Sequence, residues 1–317
     1  GGLSNSVGGL IGSAANRATI TSSHASGDAT GAGDVGGLIG TVSGSTVGGS
    51  VATGSVTASA SNAGGLIGSA TDATITTSQS SGNPIGFGEV GGLIGLVEDS
   101  TIDRSFATGT VDVENAYNAG GLVGNMTGGS VSNSYASANV NGWSAVGGLI
   151  GLGDSVTVAN SYASGHVAPS FFAGDAGGLI GSFTPGTVES SYYDSQTTGQ
   201  SDTGKGSPQL TASMRQETTF EGWDFANVWT LDDRDGYPTL LAFDKTKPTI
   251  QGAVVEDGQP DRIKLAFPER VNAGAGAIGH LSVIVDDAPV AIDSVEGTGS
   301  GVRTLTLTLV EPVYAGQ

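Results

Sequence analysis

Gly91-Gly92-Leu93-Ile94-Gly95-Leu96-Val97-Glu98-Asp99-Ser100-Thr101-Ile102-Asp103-Arg104-Ser105-Phe106-Ala107-Thr108-Gly109 is one unit of a repeat, and that repeat decides the fold. The word Gly-Gly-Leu-Ile-Gly begins at Gly8, Gly36, Gly64, Gly91, Gly147 and Gly177, and it returns as Gly-Gly-Leu-Val-Gly at Gly120. Its intervals are 28, 28, 27, 29, 27 and 30 residues. A five-letter word at near-constant spacing marks a stacked repeat rather than a globular core.

Aligning the units gives columns. One is apolar and β-branched: Ile20, Val47, Ile75, Ile102, Val131, Val158 and Val188. Another is always Ser: Ser23, Ser50, Ser78, Ser105, Ser134, Ser161 and Ser191. Leu10, Leu38, Leu66, Leu93, Leu122, Leu149 and Leu179 form a third, expected to be buried along the whole stack. No unit shows helical spacing, so each reads as two or three short strands joined at Gly- and Ser-rich corners. A unit this small cannot bury its apolar face alone, but stacked copies make continuous ladders. Residues 1–198 therefore read as a parallel β-solenoid of about seven coils, right-handed by the general rule for parallel crossovers. The paired glycines suit a corner of positive φ or of close backbone approach.

The Gly-Gly-Leu-Ile-Gly word, with a following Ser161-Tyr162-Ala163-Ser164-Gly165, resembles the GLUG repeat of bacterial surface proteins. That repeat occurs in large secreted adhesins of the filamentous-haemagglutinin type and in some immunoglobulin-A-cleaving metallopeptidases. The resemblance implies an extracellular or cell-surface location. The peptidases need a His-Glu-x-x-His zinc site, and this sequence contains none.

Beyond Tyr192 the pattern dissolves. Residues 199–245 carry Phe220, Trp223, Phe225, Trp229, Tyr237 and Leu240, and a short helix is expected near Leu210–Gln216. Bulky residues there suit an aromatic cap over an open solenoid end. Trp229-Thr230-Leu231 and Tyr237-Pro238-Thr239-Leu240 resemble the segment after the last GLUG copy in the adhesins. Residues 246–317 read as five strands, Ile250–Val255, Arg262–Phe267, Leu281–Val285, Val290–Val295 and Val302–Val310, in a small β-sandwich. Its style resembles the immunoglobulin-like modules of bacterial surface proteins. It reads as incomplete, with Val302–Leu309 left as an open edge for a donated strand and the chain as part of a longer polypeptide or polymer.

Composition narrows the function classes. The 317 residues include 55 Gly and no Cys, with 30 Asp+Glu against 11 Lys+Arg and a net charge of −19. Disulfide scaffolds and Cys-ligated zinc are excluded. The charge argues against nucleic acid, whose affinity comes from Lys and Arg. No apolar run reaches the ~18 residues of a membrane helix.

Candidate chemistry is sparse. His24, His166 and His280 are far apart in sequence, and Ser43 belongs to a corner with no base nearby. Paired carboxylates of the glycosidase type could come from Glu98, Asp99, Asp103, Asp112 and Glu114, yet the solenoid's 13 acids to residue 199 scatter over all coils. No catalytic residue, cofactor or metal ligand is assigned. Calcium stays open without a site, since Asp232-Asp233-Arg234-Asp235-Gly236 lacks the Glu that completes an EF-hand loop. Phe106, Tyr135, Tyr162 and Tyr192 share one slot in four successive coils and are the candidate glycan-stacking column, with mutual stacking as the alternative. The expected function is a non-catalytic adhesin or structural stalk segment of a larger surface protein. Its partners would be a surface glycan, or further copies joined through solenoid ends and sheet edge. The alternatives are a self-assembling filament subunit and a carbohydrate-active β-helix enzyme.

Overall fold

A computed structural model describes residues 6–113, 116–170, 175–231, 236–243, 252–256, 259–273, 283–285, 288–297 and 299–312. The chain divides into two compact units, residues 1–214 with 218–222, and residues 215–217 with 223–317. The segment 199–245 is thus shared between them.

The first unit is a parallel β-solenoid. A full coil holds five short strands rather than two or three, as in Asp34–Gly36, Ile39–Ser43, Thr46–Gly48, Val51–Ala52 and Val56–Ala58. Successive coils place these on five faces. The first three faces are seven-stranded parallel sheets, and the fourth has eight strands. The fifth is two three-stranded ladders, interrupted between Pro84–Ile85 and Val111–Asp112. Pairing runs one repeat at a time: Ile67 lies between Ile39 and Ile94, and Ile75 between Val47 and Ile102. The sequence columns are therefore physical ladders. Seven strands stacked at ~4.8 Å put about 29 Å between the first and the last.

Two apolar channels run along the rod. The larger collects the Leu and Ile of the glycine word with Val47, Ile75, Ile102, Val131 and Val158. The smaller holds Val35, Val56, Val90, Val111, Val140 and Val146. Leu38, Leu66, Leu93, Leu122, Leu149 and Leu179 are fully buried. Leu10, on the first described coil, departs from the expectation at 55% exposed.

The glycines of the word answer to close approach, not to positive φ. None of them has its φ in the left-handed region. A Cβ on Gly121 would overlap the carbonyl oxygen of Gly148 and come within 2.8 Å of the Ala136 Cβ. At this waist, backbone meets the small-residue column of the fourth face.

Positive φ recurs at the corner between the second and third faces, as at Asp72 and Asp99, and most regularly at the corner between the third and fourth faces. Ser22, Gly49, Thr77, Arg104, Asn133, Asn160 and Ser190 all occupy it, with φ from 40° to 60°. The Ser column follows directly and repairs the ladder at that bend. Each hydroxyl from Ser50 to Ser191 accepts the amide of the Ser one coil below, at 3.1–3.4 Å, and donates to the carbonyl two residues back in its own coil. Thr77 is the β-branched member of the left-handed corner, at φ 48°. Thr77→Asn should stabilise the fold by about 1 kcal/mol, since Asn adopts this conformation readily. A higher denaturant midpoint at constant m-value is the expected result.

The C-terminal end of the solenoid is closed by side chains that imitate another coil. In earlier coils the second glycine of the word donates to a glycine carbonyl of the next coil, as Gly148 does to Gly177. Gly178 donates to Asp202 Oδ1 instead, at 2.8 Å. The Lys205 ammonium donates to the Ala176 and Gly181 carbonyls at 3.2 and 2.5 Å, where strand amides would otherwise bind. Ser207–Gln209 pairs in parallel with Tyr192–Asp194 as the eighth strand of the fourth face. Tyr193 replaces the small residue at the waist, is fully buried, and donates to the Asp202 carbonyl at 2.6 Å. Phe220 meets Tyr192 edge-on at 5.5 Å. The short helices are Ser195–Thr198, capped by Asp194, and Thr211–Met214, inside the expected 210–216 span.

In the second unit Trp223 stacks on Trp229 at 4.4 Å, and Trp229–Leu231 pairs antiparallel with Pro238–Leu240. A four-stranded antiparallel sheet runs in the order Gly252–Glu256, Gln259–Ala273, Gly299–Leu309, Ile292–Glu296. Val283–Val285 and Ala288–Val290 form a separate hairpin. Leu305, Leu307 and Leu309 are buried while Thr304, Thr306 and Thr308 are not, as the alternation requires. The expectation of an open edge at Val302–Leu309 is corrected for its Thr306–Leu309 part. That strand is flanked by Gln259–Ala273 on one side and Ile292–Glu296 on the other. A hairpin partner fills the place assigned to a donated strand.

Candidate functional site

The aromatic column forms a stack. Phe106 and Tyr135 lie 4.7 Å apart and Tyr135 and Tyr162 5.0 Å apart, each pair within 4° of parallel. Alternation does place these rings on the side of the fourth face opposite the main channel, since Ala107, Ala136 and Ala163 point into it. The rings are nonetheless covered, at 9%, 7% and 2% exposed. Burial pushes the Tyr135 phenol well above its ordinary pKa, so it stays neutral. Tyr192 is partly buried and turns toward Phe220. The glycan-stacking expectation for Phe106, Tyr135 and Tyr162 is therefore corrected: their flat faces are taken by one another. In-register pairing of Phe106, Tyr135 and Tyr162 at strand spacing favours such a stack over solvent.

The carboxylates stand apart. Glu98 ends a second-face strand and accepts from Thr71, and Asp99 is an exposed corner residue at φ 44°. Asp103 ends a third-face strand and holds Arg104 at 2.7 Å. Asp112 is on the fifth face and accepts from Asn141. Glu114, His280 and Asp232–Asp235 lie outside the described residues. His24 is exposed, His166 faces the Thr197 carbonyl at 3.3 Å, and Ser43 is exposed at a strand end. Among the described residues no three His, Asp or Glu gather as metal ligands.

Two features escape a reading of the sequence. The first is a polar ladder along the outer side of the first face. Asn62 donates to Asp34 at 2.9 Å, Glu89 donates its amide to Asn62 at 3.1 Å, and Asn118 donates to Glu89 at 2.6 Å. Burial raises the Glu89 carboxyl above its ordinary pKa, with Asn118 and Asn125 pulling the other way. A raised folded value means the folded state binds the proton more strongly. This group's contribution to stability therefore grows as pH falls through that value and shrinks as pH rises. Glu89→Gln should stabilise the fold at neutral pH, with the gain over wild type vanishing on acidification; paired thermal melts from pH 7 to 4 measure it.

The second is a row of aromatics, two of them open and the third, Trp143, half-buried. Phe87 and Tyr117 are 55% and 59% exposed, and Tyr117 meets Trp143 at 5.3 Å and 54°. Each lies three or four residues ahead of a glycine word, a spacing that could have revealed the row.

Comparison with known proteins agrees with the repeat. Residues 115–141 match the GLUG motif. Over 141 residues, 42% of this chain, the sequence is 43% identical to a protein of Evansella cellulosilytica named "Putative Gly-rich membrane protein". The matched stretch spans 13% of that relative's length. A crystal structure from Bacteroides ovatus, described as "a putative immunoglobulin A1 protease", is 18% identical with a TM-score of 0.41, covering 71% of this chain and 76% of that one.

Proposed function

We propose that this chain is a non-catalytic, extracellular segment of a larger cell-surface protein, a stiff stalk of the adhesin type followed by an immunoglobulin-like module. The observation that carries the reading is the unbroken register of the first three faces, each seven strands deep. A repeat that keeps one geometry from coil to coil makes a spacer, and the Asp202–Lys205 closure gives it a defined end before the second unit's antiparallel sheet. The GLUG motif and the name of the Evansella relative support a surface location. Among the described residues no helix is long and apolar enough to cross a membrane. Dispersal of Glu98, Asp103 and Asp112 over three faces supports the non-catalytic half of the reading. Antibodies raised against the chain should label intact cells of its source. Labelling only after permeabilisation would overturn the reading.

A further inference from the structure

The geometry points to a binding ridge for a neutral, extended polysaccharide, built from Phe87, Tyr117 and Trp143. It deepens the adhesive half of the function proposed above and leaves the stalk half untouched. Glu89, Asn118 and Ala145 are in-register partners on the first face of three successive coils. Phe87 stands two residues before Glu89, Tyr117 one before Asn118 and Trp143 two before Ala145. The three aromatics thus follow one edge of the rod, a coil apart. Coils repeat at ~4.8 Å, so the row extends about 10 Å. Pyranose rings in an extended chain repeat at a similar spacing and present apolar C–H faces to aromatic rings.

Phe87 and Tyr117 are open, and Trp143 half-buried, where the Phe106 stack is covered. Among the described residues of the coils, the large hydrophobics left exposed are Leu10, Ile85, Phe87 and Tyr117. Three of these four fall in two successive coils, Ile85 on a fifth-face strand and Phe87 and Tyr117 in the turns that follow, a concentration that folding alone does not reward. The corresponding turns of the first coils are Gly31-Ala32-Gly33 and Ser59-Ala60-Ser61, which carry no aromatic. The interruption of the fifth face between Pro84–Ile85 and Val111–Asp112 falls where the row begins.

The scaffold is firm. The Trp143 amide donates to the Ala116 carbonyl at 3.3 Å, and the Ala145 amide to the Tyr117 carbonyl at 3.2 Å. Tyr117 and Trp143 are therefore held as a pair before any ligand arrives, which limits the ordering cost of binding. Next to Tyr117 in sequence, Asn118 donates to Glu89, and on the fifth face Asn141 donates to Asp112 and accepts from the Ser170 hydroxyl. These amide and hydroxyl groups suit sugar hydroxyls. The solenoid carries 13 acids against Arg17 and Arg104, so sulfated or uronate-rich chains would be repelled. A cationic peptide is the competing ligand class, and among the described residues Glu89 and Asp112 already accept from Asn118 and Asn141.

Affinity electrophoresis of the full chain through gels containing hydroxyethylcellulose, laminarin, heparin or poly-L-lysine tests the assignment. Retardation by at least one neutral glucan and none by heparin is expected. Tyr117→Ala/Trp143→Ala should weaken that binding at least tenfold, and Phe106→Leu should leave it unchanged. A readout without mutation is iodide quenching. Trp223 and Trp229 are 7% and 0% exposed, so quenchable emission comes from Trp143 and should be protected by bound glucan. Absence of retardation by both glucans overturns the proposal, as does retardation by poly-L-lysine alone. Wild-type affinity in a folded double variant, or unprotected Trp143, overturns it too. A chain that labels intact cells yet binds no glucan would sink the ridge and spare the stalk.

Discussion

Leu93→Asp should unfold the middle of the solenoid. Leu93 is fully buried in the larger channel, with Leu66 below it and Leu122 above, joined by amide-to-carbonyl bonds of 2.8 and 2.9 Å along the same column. A carboxylate placed there has no cation to meet, since the two basic residues of the coils, Arg17 and Arg104, do not line that channel. Burying an unpaired charge costs several kcal/mol, and loss of the Leu side chain adds about 2–5 kcal/mol. A domain with the usual ~5–15 kcal/mol of stability would lose much or all of it. The expected outcome is insoluble protein, or a melting midpoint lowered by well over ten degrees. Leu10→Asp, in the same column of the word but 55% exposed, should stay within about 0.5 kcal/mol of wild type. Equal behaviour of the two variants would refute this register of the coils.

Gly121→Ala is the second severe case, and it adds only a methyl group. The new Cβ would overlap the Gly148 carbonyl oxygen and crowd Ala136 at 2.8 Å. The Gly148 carbonyl is backbone of the next coil, so relief there would require two coils to part. Overpacking usually costs about 1–3 kcal/mol, and a backbone obstacle puts this change at the upper end or beyond. Gly27→Ala is the matched control: nothing lies within 4 Å of its added Cβ. It should be neutral or slightly stabilising, because Ala restricts the unfolded chain. Chemical denaturation of the two variants side by side measures the difference.

The columns were readable because stacking repeats an environment. A residue paired with its own equivalent above and below, as Ile75 is with Val47 and Ile102, meets the same demands in every coil, and the sequence records them. The five strands of a coil were not readable. Elements such as Val51–Ala52 are two residues long, too short for any periodicity to register. Nor was the closure by Asp202 and Lys205, since both act through side-chain atoms standing in for backbone groups 24 to 29 residues away.

By itself, then, the sequence determined that this chain stacks, in which register, and with which residues on top of one another, because translation along the rod is written into the spacing of the word. Tertiary structure alone decided what lies beside each column. Repetition fixes neighbours above and below a side chain and is silent about those across the coil. Phe106, Tyr135 and Tyr162 accordingly share a slot in the sequence but lie covered in the fold, whereas Phe87 and Tyr117 share no strict slot and reach the surface, with half-buried Trp143 against Tyr117. The same reason places Gly299–Leu309 inside its sheet. Alternation of Leu and Thr declares a half-buried strand, and only long-range pairing shows that Gln259–Ala273 lies along one edge and Ile292–Glu296 along the Thr306–Leu309 part of the other.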